Sequence, residues 1–160
     1  MNEAHRPSQR KTRSRSDPFN LVVCERDGHW ARHLRRELSP GGIPVCETRS
    51  LQECWRMLDE CPAALLLVEV TAANAVQMLA VAAQLGRDYP AARLVVLADG
   101  RFDWAKWSIL EAGAVWFCSS PRRLSEVAGI ARSHRAQVPR PSQSLEQKIL
   151  DELPWKAPAG

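Results

Sequence analysis

Four carboxylates sit where short apolar runs give way to polar residues. Glu25 and Asp27 follow Leu21-Val22-Val23-Cys24. Glu69 lies near the end of Ala63-Ala64-Leu65-Leu66-Leu67-Val68-Glu69-Val70, and Asp99 follows Arg93-Leu94-Val95-Val96-Leu97-Ala98. If these runs are neighbouring strands, the carboxylates crowd around the strand ends and offer hard oxygen donors to a cation. The reading favoured over that one is of solvent-facing carboxylates that screen one another, because perturbed acidic groups also gather for structural reasons. Cys24 adds a thiol to the same place. Nearby carboxylates are expected to raise its pKa and reduce the thiolate that redox chemistry requires, so it reads as a buried, inert cysteine rather than a sensor.

The elements that must position these groups follow from periodicity. Residues 63–70 are apolar at every position but Glu69 and follow Pro62, the pattern of a strand buried on both faces of a parallel sheet. Ligands of open α/β sheets bind at the C-terminal ends of such strands. Leu21 to Cys24 reads as a first strand and Ile43 to Cys46 as a second, with Pro44 suited to an edge because it cannot donate to a central ladder. Arg93 to Ala98 and Val115 to Cys118 supply two more.

Helical stretches alternate with the strands. The first runs from His29 to Leu38, with Trp30, Leu34 and Leu38 on one face, and Ser39-Pro40-Gly41-Gly42 ends it. The second is opened by a Ser50/Glu53 capping box and buries Leu51, Cys54, Trp55 and Leu58. A third, from about Ala72 to Asp88, is expected to bury Val76, Leu79, Ala80, Ala83 and Leu85. The fourth extends from Asp99-Gly100 to near Ala112, with Gly113 as its C-cap, and the fifth from Leu124 to about His134. Alternating units of this kind imply a flavodoxin-like, doubly wound five-stranded parallel sheet with helices on both faces.

Composition bounds the function. The chain has 160 residues, 45% hydrophobic and 25% charged, enough for one domain with a core plus tails. No apolar run approaches the roughly 18 residues of a membrane span. Residues Met1 to Asp17 lack the apolar centre of a secretory signal. The five cysteines form no Cys-x-x-Cys pair, and their odd number argues against a full disulfide set. A cytoplasmic protein with reduced thiols is expected, with no membrane partner. The net charge is +4, and residues 1–17 hold five basic residues against two acidic ones. Residues 1–18 therefore read as a disordered basic tail, residues 19–136 as the domain, and 137–160 as a Pro-containing linker with a short amphipathic segment. In that segment Leu145, Ile149, Leu153 and Trp155 fall roughly on one side, suited either to folding back on the domain or to docking in a partner groove.

Leu110-Glu111-Ala112-Gly113-Ala114, followed by the aromatic strand residue Phe117 and the Ser120-Pro121 junction, resembles the response-regulator receiver (CheY-like) family over roughly Asn20 to Arg135. Receivers hold a divalent metal with an acidic pair after the first strand and accept phosphate on an aspartate ending the third. A hydroxyl residue ending the fourth strand and a lysine after the fifth complete their pocket. The matching positions here are Cys24 and Glu25 for the acidic pair, Glu69 for the acceptor, Ala98 for the hydroxyl and Ser120 for the lysine. A thiol is a poor ligand for magnesium, and Ala98 and Ser120 offer neither the hydroxyl nor the charge that phosphoryl transfer relies on.

The resemblance therefore implies a degenerate pseudo-receiver: no enzyme, no cofactor and no bound metal, acting by protein–protein contact in bacterial-type signal transduction. Two rival readings are an atypical receiver that still accepts phosphate or a divalent cation, and a less favoured nucleic-acid adaptor working through the basic tail. Without the family's lysine, Glu69 is expected to face Glu25 and Asp99 unpaired, so that neutralising it leaves stability unchanged or raised. Receivers meet partners or a second copy through the fourth helix, fifth strand and fifth helix. Trp104, Trp107, Trp116 and Phe117 are the candidates there, with core packing as the competing role for the tryptophans.

Overall fold

The strands β1 (Leu21–Cys24), β2 (Val45–Thr48), β3 (Leu65–Glu69), β4 (Arg93–Leu97) and β5 (Trp116–Cys118) pair in parallel in the order β2-β1-β3-β4-β5. The computed structural model describes residues 19–138. The basic tail and the amphipathic segment with Leu145, Ile149, Leu153 and Trp155 lie outside the described residues. Central β3 is the strand expected from its apolar run, and Leu65, Leu66, Leu67 and Val68 are fully buried.

Alternation along the strands divides the core into two layers. Val22, Leu66, Val68, Leu94 and Val96 point to one face, covered by α2 (Leu51–Glu60), α3 (Gln77–Asp88) and α4 (Lys106–Glu111). Leu21, Val23, Leu65, Leu67, Val95 and Leu97 point to the other, covered by α1 (His29–Leu38) and α5 (Leu124–Gln137). The expected doubly wound arrangement is the one observed.

Differences from the sequence reading are local. β2 starts two residues later than expected, which leaves Pro44 before the strand, and β2 does take the edge. The fourth helical stretch is divided into a 3-10 segment over Gly100–Ala105 and the short α4. The third helix starts at Gln77 rather than Ala72, and its buried face carries Met78, Val81, Ala82 and Leu85. Val76 is 83% exposed and Leu79 41% exposed. This stretch is apolar on two stripes, and periodicity alone does not choose between them. The loop in front of the helix decides. Asn74 folds back on it: its side-chain carbonyl accepts from the Thr71 N–H (2.8 Å) and its amide donates to the Glu69 carbonyl (2.9 Å). Among the described residues no helix is long and apolar enough to cross a membrane.

His134, in the last turn of α5, is buried against Phe19 and shares a 3.0 Å hydrogen bond between Nε2 and the Ala63 carbonyl. Burial pushes its protonation below the ordinary value near 6.5; Arg93 acts in the same direction and the Ala63 carbonyl opposes both. A base with a lowered folded pKa leaves stability intact above its ordinary value. Below it the unfolded chain takes up a proton that the folded chain resists. Stability is therefore expected to fall as pH drops through about 6.5, and to fall less in His134→Gln, which denaturant midpoints across that range will check. In the same assay Leu66→Ala is expected to lose about 2–5 kcal/mol because it opens a cavity under β3. Leu79→Ala, on the exposed stripe, should lose less than about 1 kcal/mol.

Candidate functional site

A cavity of about 600 Å³ opens at the C-terminal ends of β1 and β3, lined among others by Cys24, Glu25, Arg26, Arg49, Glu69 and Asn74. This is the location expected for ligands of such a sheet, but its carboxylates are arranged for structure. Glu25 is 3% exposed. One carboxylate oxygen accepts from the Trp30 N–H and the other from the Ala31 N–H, both at 2.7 Å. These donors are orphans of the first turn of α1. The N-cap residue, Gly28, has φ +75° and no side chain to satisfy them. Glu25 does so from three residues upstream, and its charge suits the positive end of the helix.

Glu69, half-buried, is also occupied: one oxygen accepts from the Arg26 N–H at 2.9 Å. Asp99 accepts from its neighbour Arg101 through the backbone N–H at 2.9 Å and through the guanidinium at 2.6–3.0 Å, and this pairing holds its carboxyl below the usual range. Asp27 is exposed. Of the four carboxylates expected to face solvent at the strand ends, Glu25, Glu69 and Asp99 instead accept hydrogen bonds from the domain itself. Glu69 is not left unpaired against Glu25. Among the described residues no group of three or more His, Cys, Asp or Glu side chains is arranged to hold a metal. With Glu25 turned under α1 and a thiol beside it, the residues present do not fit a magnesium ion.

Ala98 and Ser120, the other two positions expected at the pocket, are not among the residues that line the cavity. Ala98 is 1% exposed and belongs to the core beneath α4. The Ser120 hydroxyl accepts from the Arg122 N–H at 3.3 Å and caps a short 3-10 turn. The positive charge lining the cavity comes from elsewhere. Arg49, on the loop after β2, donates to the Glu25 carbonyl at 3.1 Å and to Glu47 at 3.0 Å, and Glu47 also pairs with Arg35.

Cys24 is buried, as expected, but its pKa moves against the expected direction. Its thiol shares a hydrogen bond with Cys54 of α2, which pulls its pKa down to about 7; burial opposes this and Thr48 assists. Glu53 and Glu69 do push it up, as the sequence reading held, but they are outweighed. The pKa of Cys54 moves the other way, raised first by the hydrogen bond to Cys24 and then by burial. The helical spacing of α2 placed Cys54 on a buried face. Its pairing with Cys24 is long-range and left no local signal. Arg49 and Asn74 were missed for the same reason, although Asn three residues after Thr71 is a turn-forming pattern.

On the second candidate surface the four aromatics separate. Trp104 is 71% exposed and Trp107 is 70% exposed, so neither is core. Lys106 Nζ lies 5.4 Å from the Trp107 ring centre. Trp116 is half-buried under Arg123, whose guanidinium carbon is 5.3 Å from its ring centre, and its indole N–H is buried without a hydrogen-bond partner. Phe117, 2% exposed, packs in the core below α3 and α4 and presents no interface area.

Glu25→Ala is expected to destabilise the domain by about 2–3 kcal/mol, because two buried N–H groups lose their acceptor. Glu69→Gln keeps an oxygen for the Arg26 N–H and should stay within about 0.5 kcal/mol of the parent. Equilibrium denaturation of the two variants side by side checks the ranking.

No family model matches this chain, and no curated protein matches it. Solved structures do. It is similar to a CheY-like protein (tadZ) from Pseudomonas aeruginosa at 25% identity and TM-score 0.60, covering 72% of this chain and 98% of that one. A protein assigned to pilus assembly (cpaE) from Burkholderia thailandensis matches at 22% identity and TM-score 0.54, covering 72% and 98%. An atypical orphan response regulator described as having a phosphorylation-independent regulatory mechanism matches at 15% identity and TM-score 0.61, covering 76% and 99%. The described domain has the flavodoxin-like α/β fold of CheY-like receiver domains.

Proposed function

We propose that this chain is a degenerate receiver that transfers no phosphoryl group and works by protein–protein contact through the surface bearing Trp104 and Trp107. The observation that carries the reading is the exposure of these two tryptophans, 71% and 70%, three residues apart on neighbouring short helical segments. Exposed tryptophan is the side chain most often found at the energetic centre of interfaces. Leaving two of them in water is otherwise unfavourable.

The strand-end pocket supports the same reading from the other side. In-line phosphoryl transfer relies on a metal, a hydroxyl and a cation aimed at the transferring group. Here Cys24 and a helix-capping Glu25 stand for the metal pair, Ala98 for the hydroxyl and Ser120 for the cation, while Glu69 is held by the Arg26 N–H. The described phosphorylation-independent regulator among the similar structures supplies a precedent of the same fold. The pilus-assembly protein points the search for a partner toward components of such a system, with a second copy of this chain as the other class of partner.

Trp104→Ala and Trp107→Ala are each expected to weaken partner binding or self-association by about 2 kcal/mol, with thermal stability retained. Unfolding of both variants would place the tryptophans in the fold and overturn the reading. Incubation with a small phosphodonor and magnesium is expected to give no mass increase at Glu69. Stoichiometric modification would establish the atypical-receiver alternative instead.

A further inference from the structure

The geometry points to Cys24 and Cys54 as an oxidisable dithiol beside the cavity, a site at which hydrogen peroxide is reduced and a disulfide forms between β1 and α2. Three observations carry this. Cys24 stands beside Thr48 in the β1–β2 register and the Cys54 sulfur lies against the Thr48 hydroxyl, so the two cysteines share one core layer although thirty residues separate them in the chain. Cys24 lines the cavity of about 600 Å³ and keeps 8% exposure, whereas Cys54 lies fully buried behind it. The Thr48 hydroxyl, 3.1 Å from the Cys54 sulfur, adds a polar contact inside an otherwise apolar layer. A thiol that lines a cavity, backed by a second thiol buried behind it, is the arrangement of an attacking and a resolving cysteine. The lowered pKa of Cys24 favours its role as the attacking partner.

The chemistry balances with the peroxide as the only co-reactant. The Cys24 thiolate attacks one peroxide oxygen, the O–O bond breaks, and hydroxide leaves as Cys24 becomes a sulfenic acid. Cys54 sulfur then displaces the sulfenic hydroxyl, which departs as water with the Cys54 proton, and the S–S bond closes. The two thiols lose two protons and two electrons in all, and the hydrogen peroxide becomes two waters. A thiol reductant reverses the bond by exchange.

The full chain, reduced and then treated with hydrogen peroxide, provides the test by peptide mass mapping without reduction. The expected product has lost two hydrogen atoms, contains a cross-linked peptide pair holding Cys24 and Cys54, and returns to the starting mass with dithiothreitol. In Cys54→Ser the reaction is expected to stop at a Cys24 sulfenic acid trapped by dimedone, and in Cys24→Ser no label should appear at Cys54. Replacing Cys46, Cys61 or Cys118 by serine should leave the cross-link intact. Oxidation distributed over those three cysteines with no Cys24–Cys54 link in the parent chain would overturn the proposal. Because that result is read on the parent chain, it holds even if a variant fails to fold.

Discussion

Everything in this domain depends on a central strand that is buried on both of its faces. Leu65 and Leu67 pack under α1 and α5 while Leu66 and Val68 pack under α2 and α3, so β3 ties the two layers into one core. Removing each leucine from water contributes about 1.5–3 kcal/mol, and a strand placed this way tolerates no polar group along its length. Polar chemistry is therefore confined to the strand ends. The fold supplies a cavity there whether or not the sequence has anything to do with it.

What fills that cavity follows from the needs of the elements around it. α1 begins at a left-handed glycine that offers no capping oxygen, and the acidic residue at the end of β1 turns inward to serve the helix. The third strand's carboxylate is drawn to the Arg26 N–H on the neighbouring loop. Arg49 closes the side of the cavity by bonding the Glu25 carbonyl and Glu47. Glu25, Glu69 and Arg49 each have a partner within the domain, and a ligand arriving at them must compete with bonds that already exist. A group with no difference in affinity between two conformations shifts neither of them.

How much of this was legible beforehand depends on how local each signal is. The limits of α1 and α2 were readable because Trp30, Leu34 and Leu38, and the Ser50/Glu53 box, are short-range patterns; Ser50 does accept from the Glu53 N–H at 3.3 Å. The order of the strands followed from crossover handedness. The face of α3 was misassigned because Val76, Leu79, Ala80 and Ala83 form as regular a stripe as Met78, Val81, Ala82 and Leu85. The choice lay in Asn74 anchoring the loop five residues from Glu69. Of the expected pocket positions, Cys24, Glu25 and Glu69 line the cavity and Ala98 and Ser120 do not. Whether Glu25 faces a metal or a helix end is set by backbone direction after β1, and whether Cys24 meets Cys54 is set by how α2 lies on the sheet.

The exposed tryptophans and the satisfied pocket are two consequences of one distribution of polar groups. In a signalling domain of this fold, a change at the strand ends is useful only if some element has two arrangements of similar energy. Among the groups at these strand ends, Glu25, Glu69 and Asp99 all have partners close at hand, and Phe117 is packed in the core rather than standing at the surface. The features that remain are the exposed aromatic area of Trp104 and Trp107, the apolar stripe led by Val76, and the buried thiol of Cys24 that lines the cavity. Contacts made on the surface act directly on whatever binds there and require no transmission through the sheet. A thiol at the β1–α2 junction acts on the only layer it touches. Surface contact and covalent change are the two routes that do not ask the carboxylates to give up the helix and loop they already hold in place.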